Sequence, residues 1–223
     1  MANIQDTLKQ AQEAAATAAA ARTTLPATSS APTMPGQAMS LASMMTGAIT
    51  VDEWLKVKEF GILVGSHNTL HDTIKVQINL AEAAVNMTLR YGQNPATYIK
   101  SYDGATCNTG GSWNDAQAKA KSIDPNARPY QSVDIPMTLL EDLKSKGGEV
   151  EAAAGVTLGY ATPTTGKGNF VHLLKAVAAT GNNPDDSIVV VELGFEKKVK
   201  GSNTWGLMTF NLLDVLSEPQ GDE

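Results

Sequence analysis

The sequence predicts an α+β domain with a mainly antiparallel sheet, and three observations carry that expectation. Apolar residues alternate with polar ones in "DTIKVQINLAE" (Ile74, Val76, Ile78, Leu80) and "AVNMTLRYG" (Val85, Met87, Leu89), as in strands buried on one face. A block with helix start and stop signals follows. The segment "SIVVVELGFEKKVKGSNTWGLMTFNLLDVL" then reads as two long strands around a "KGSN" turn. Strands on both sides of a helical insert suggest a mainly antiparallel sheet or a partly open, OB-like barrel with inserted helices.

In chain order, residues 1–51 read as a low-complexity, disordered arm and linker rich in alanine, proline and methionine. Residues 2–22 favour helix, but Ile4 and Leu8 are their only large apolar side chains, too thin a stripe to anchor a helix. Thr23–Val51 carries no charge and is broken by Pro26, Pro32 and Pro35. A single α+β domain is expected over 52–216, followed by a short acidic tail at 217–223. "DEWLKVKEFGILVG" shows helical spacing first and strand character later. "ATYIKSYDG" is a third strand, closed by the Asp103-Gly104 turn signal. "GGSWNDAQAKAKSID" is a helix with Ser112 as N-cap and Asp115 three residues on, ended by Pro125 and Pro129. "YQSVDIP" is short and extended. "TLLEDLKSKGG" has Thr138 and Glu141 at capping-box spacing and is expected as a helix stopped by its glycine pair. "GVTLGY" is a short strand, and "NFVHLLKAVAATG" a helix.

Composition excludes several classes. In 223 residues, 42% are hydrophobic, enough for a real core, and the net charge of −6 argues against a uniformly basic protein. It leaves room for a local basic groove, because affinity for nucleic acid depends on where the cations sit. One cysteine, Cys107, excludes an internal disulfide framework and a zinc site of several cysteines. No apolar run approaches a bilayer span, and the N-terminus lacks the basic-then-apolar order of a secretory signal, so a cytoplasmic protein with no membrane partner is expected.

The chemical candidates are few. "GYATPTTGKGNF" looks like a nucleotide-binding P-loop, but Ala161 stands where the first glycine belongs and Gly168 where the magnesium-binding hydroxyl belongs. His67 and His71 are four apart beside Asp72, a metal spacing only on a helix, and Gly65, Ser66 and Asn68 favour a loop. Cys107 has no obvious histidine partner, no nucleophile elbow is present, and a cleft near Asp103 has no motif behind it. The expectation is a protein without catalytic residues, metal or cofactor.

Aromatic and basic residues interleave instead. "LRYGQNPATYIKSY" carries Arg90, Tyr91, Tyr98, Lys100 and Tyr102; the final hairpin adds Lys197, Lys198, Lys200 and Trp205; and Lys167 lies in the glycine-lysine loop. Cations that track phosphates beside rings that stack on bases are what sequence-tolerant single-strand binding needs. With the acidic ending "LSEPQGDE" free for protein partners, the layout resembles that of single-stranded DNA-binding proteins. The function expected is non-catalytic binding of single-stranded nucleic acid in a basic and aromatic groove by a homo-oligomer. The alternative is a structural or assembly protein, a virion or filament subunit whose arm orders on self-association.

Overall fold

The structure, a computed structural model, describes residues 49–216 except Asn94. Nearly all of the expected arm and the whole acidic tail lie outside the described residues.

Leu55 and Val57 turn inward while Trp54, Lys56 and Lys58 stay exposed, so the first segment is strand from its start: β1 (Glu53–Lys58) and β2 (Gly61–Val64) form a hairpin. The expected helical spacing there gives way to period two. The next three strands follow the sequence pattern: β3 (Ile74–Asn79), β4 (Ala84–Tyr91) after a short 3-10 turn at Leu80–Glu82, and β5 (Thr97–Ser101). Gly92 and Gly104 end β4 and the β5 loop in left-handed backbone (φ 74° and 73°), which side chains rarely tolerate. Ser112 caps α1 (Trp113–Ile123), its side chain accepting from the Asp115 amide.

The segment expected as a helix after Thr138 is strand and turn. "YQSVDIP" continues through Met137 and Leu139 as β6 (Pro129–Leu139), and "LEDLKSKGGEVEA" folds into the small hairpin β7 (Leu143–Lys144) and β8 (Val150–Ala152). Pairing of Val76 with Leu139 and of Gln77 with Thr138 outweighs the capping-box spacing, and Glu141 pairs with Lys75 at 2.9 Å instead of capping a helix. The chain continues through β9 (Thr157–Ala161), α2 (Lys167–Ala179), β10 (Ile188–Lys200) and β11 (Asn203–Leu216), the last two forming the expected hairpin.

These strands make an open mixed sheet in the order β11-β10-β3-β6-β9-β1-β2, antiparallel except where β1 runs parallel to β9. β6 holds it together. Its first half pairs with β4, which carries β5 on its far side; its last residues pair with β3; its other edge pairs with β9. Asp134 is the residue at which the β4 and β9 registers meet, opposite Ala84 and Ala161. Pro136, with no N–H for a ladder, falls where β6 passes from pairing with β4 to pairing with β3.

Apolar side chains on one face of the sheet form two cores. The larger gathers inward residues of the long strands, such as Val76, Ile135, Leu158 and Val191, with Phe170, Leu173 and Val177 of α2. The smaller packs Leu89 and Tyr91 of β4 with Trp113 and Ala120 of α1. Leu89 and Val133 belong to the same face, since Val85 pairs with Val133 and lies four residues from Leu89. Both helices therefore cover one side, and the opposite face of β4, β5, β6, β9 and β1 has no helix over it among the described residues. No helix among those residues is long and apolar enough to cross a membrane.

The β10–β11 hairpin crosses the end of β1 so closely that a Cβ on Gly206 would lie 2.0 Å from the Lys58 carbonyl oxygen. Gly206→Ala is expected to destabilise the domain by about 1–3 kcal/mol through overpacking. Gly168, inside α2 with nothing near its would-be Cβ, is expected to gain about 0.5–1 kcal/mol on replacement by alanine. Urea melts of the two variants against the parent check both signs.

Candidate functional site

The helix-free face is assembled by strand register. In β4 the residues on this face are Asn86, Thr88 and Arg90; Arg90 pairs with Tyr98 and Thr88 with Lys100 of β5, while Thr88 and Asn86 pair with Tyr130 and Ser132 of β6. Asp134 follows two residues on. Across β9, Gly159 leaves room for Trp54 of β1, whose ring lies about 3.1 Å from where a Cβ would stand. Four strands thus contribute Tyr98, Arg90, Tyr130 and Trp54 to one surface.

At its centre is a buried charge. Asp134 is fully buried (0% exposed), and both its carboxylate oxygens accept from Lys100 Nζ at 2.7 Å. Tyr102 donates its hydroxyl to Oδ2, also at 2.7 Å. Lys100 Nζ lies in addition 4.8 Å from the centre of the Trp54 ring, a cation–π contact. The Asp134 charge is thus both paired and hydrogen-bonded, as a buried carboxylate must be. Burial first, and then the hydrogen bond and charge of Asp134, push the Tyr102 phenol far above its ordinary range. Asn86 (3% exposed) accepts from the Thr88 hydroxyl at 2.7 Å, while its Nδ2 has no partner among the described residues.

The rim of the face is open. Tyr98 is 54% exposed; Arg90 Nε donates to its hydroxyl at 3.1 Å, and the guanidinium carbon lies 6.0 Å from its ring centre. Arg90 has no ion pair among the described residues, so its charge is open to a ligand. Tyr130 stands beside both, its phenol raised chiefly by burial. Along β1, Lys56 and Lys58 follow Trp54 at period two and are exposed. Lys56 Nζ donates to the Gly65 carbonyl at 2.8 Å.

The residues singled out in the sequence fall into three places. Arg90, Tyr98, Lys100 and Tyr102 share the helix-free face. Lys197, Lys198, Lys200 and Trp205 gather at the far end of the β10–β11 hairpin, where Lys197 meets Glu59 at 3.2 Å and the Phe60 ring at 4.9 Å, and Lys198 meets Glu196. Two do not belong to a shared groove. Tyr91 (7% exposed) alternates to the other face and is part of the core under α1. Lys167 opens α2 and donates to Gln131 Oε1 at 2.6 Å on the helix-covered side, since Gln131 alternates with Tyr130 and Ser132. Trp54, Tyr130, Lys56 and Lys58 escaped the sequence reading, although "EWLKVK" and "PYQSVD" carry them at alternate positions, the spacing that signals a shared face.

Other chemical candidates are accounted for by local structure. Asp103 accepts from the amides of Ala105 and Thr106 and from the Ser101 and Thr106 hydroxyls, and these bonds, those from Thr106 first, hold its carboxyl well below the usual range and fix the loop. The Cys107 thiol is buried and pushed up by that burial, away from the reactive thiolate. His71 Nε2 lies 3.3 Å from Glu151, which also accepts from Thr69, and no cluster able to hold a metal is found among the described residues.

No protein-family model matches this chain, and neither does any curated protein or solved structure.

The Tyr102 phenol carries a pH consequence. Its folded value is raised above the unfolded one, about 10, so its stabilisation is complete below that pH and is lost as pH rises beyond it. Denaturant midpoints of the parent are expected to fall more steeply above pH ~10 than those of Tyr102→Phe. Equal slopes would mean that the Tyr102 phenol is not held above its ordinary range.

Proposed function

We propose that the protein is a non-catalytic binder of single-stranded nucleic acid, which lies across the helix-free face of an OB-like platform. The observation that supports this best is the sharing of one uncovered face by Tyr98, Tyr130, Trp54, Arg90, Lys56 and Lys58. Bases stack on rings whatever their identity, and each such contact is worth roughly 1–3 kcal/mol. Arg90, Lys56 and Lys58 are suited to meet phosphates along the same line. β5 and β1 are four strand spacings apart, about 19 Å across the strands at a spacing near 4.8 Å, and Trp54 to Lys58 spans about 13 Å along β1. That is a reach suited to several nucleotides. Lys100 has a different part, since Asp134 neutralises it: it keeps Trp54 on the face. The buried Cys107 and the locally engaged Asp103 favour binding over catalysis.

Binding is tested by fluorescence anisotropy of a labelled single-stranded oligonucleotide over a range of salt concentrations. The parent is expected to bind and to weaken steeply with salt. Tyr98→Ala is expected to cost about tenfold in affinity, and Arg90→Ala to weaken binding and reduce the salt slope by about 0.7, the share of one single-strand phosphate. Lys167→Ala, on the other side of the sheet, is expected to change nothing. Absence of binding at low salt overturns the proposal.

A further inference from the structure

A recess lies away from the buried aspartate, between the β1–β2 turn and the end of the β10–β11 hairpin. It has a volume of about 520 Å³ and is lined by the apolar Phe60, Trp205, Leu63 and Leu70 and by the polar Lys58, Glu59 and Asn68. Phe60 is 60% exposed, unusual for phenylalanine, and Leu70 is exposed beside it. The ring pairs in contact among the described residues are Tyr160–Phe210 and Phe170–Phe210, so Phe60 and Trp205 line the recess without stacking on each other. The gap is built in. Gly206 lets the hairpin rest on the Lys58 backbone, which sets Trp205 opposite the turn that carries Phe60.

We propose that this recess takes one unstacked nucleobase of the strand bound on the neighbouring face. The inference rests on the nucleic-acid reading and extends it to a second site. Aromatic and aliphatic walls suit the flat face of a heterocycle, while the Asn68 amide suits its carbonyl and ring-nitrogen edge. Charge complementarity favours this occupant over an apolar peptide. Lys58 lines the recess, and Lys197, Lys198 and Lys200 lie on the hairpin end that carries Trp205. Of these four, Lys197 and Lys198 are paired with acids, Glu59 and Glu196. Lys58 and Lys200 have no ion pair among the described residues and can meet the phosphates flanking a captured base. β1 joins the two sites, because Trp54, Lys56 and Lys58 lead from one to the other.

The test compares two single strands of equal length, oligothymidylate and a fully abasic deoxyribose-phosphate oligomer, binding to the full chain and to Phe60→Ala. Phe60 is exposed, so its truncation is expected to leave the thermal midpoint unchanged. Phe60→Ala is expected to bind oligothymidylate about tenfold more weakly than the parent and to bind the abasic strand equally. Trp205→Leu is expected to show the same pattern, which separates a lost wall from a local fault at the turn. If both variants bind oligothymidylate as the parent does, the recess holds no base, and this inference falls while the broader reading stands. If the parent binds neither strand at low salt, both fall together.

Discussion

The carboxylate of Asp134 is the constraint on which the helix-free face depends. It stands on β6 where the registers of β4 and β9 meet, with no exposure to water. A buried carboxylate without partners costs several kcal/mol, so its partners must come to it. Both come from the β5 side: Lys100 and Tyr102 reach across β4 to the strand beyond it. Lys100 then lies against Trp54 of β1. One charge therefore ties together strands that share no ladder. Buried pairs of this kind add little net stability compared with apolar packing. Their effect here is on arrangement, because they hold Trp54 in place relative to Tyr98 and Tyr130.

The same constraint divides the cations by task. A chain with net charge −6 has no general attraction for a polyanion, so affinity would come from few contacts, well placed. Lys100 is neutralised inside the protein, and Lys197 and Lys198 are partly neutralised by Glu59 and Glu196 at the surface. Arg90, Lys56, Lys58 and Lys200 have no ion pair among the described residues. With few unpaired cations on the helix-free face, stacking on rings would supply the larger part of the interaction energy of a strand bound there. That makes the placement of the aromatic residues more consequential than the count of lysines.

Much of the fold was legible in the sequence because local signals and tertiary pairing agreed. Alternation marked β3 and β4, Ser112 and Asp115 marked α1, and "KGSN" marked the last hairpin. Legibility ended where a local signal opposed a distant partner. Thr138 and Glu141 have capping-box spacing, yet Leu139 is worth more paired with Val76 in the core. The site was half legible for a related reason. Composition brought Arg90, Tyr98, Lys100 and Tyr102 to notice, but clustering along the chain does not distinguish the two faces of a strand. Tyr91 is next to Arg90 in sequence and on the opposite side of the sheet. Conversely, Trp54 and Tyr130 are far apart in sequence and share a face only through β9 and β6, an arrangement that register alone determines.

The claim that the helix-free face is the binding surface is tested most directly by mapping backbone amide chemical shifts during titration with a single-stranded oligonucleotide. Perturbations are expected to concentrate on β1, β4, β5 and the first half of β6, with the amides of α1 and α2 unmoved. Perturbations confined to the helix-covered side, around α2 and Lys167, would contradict it.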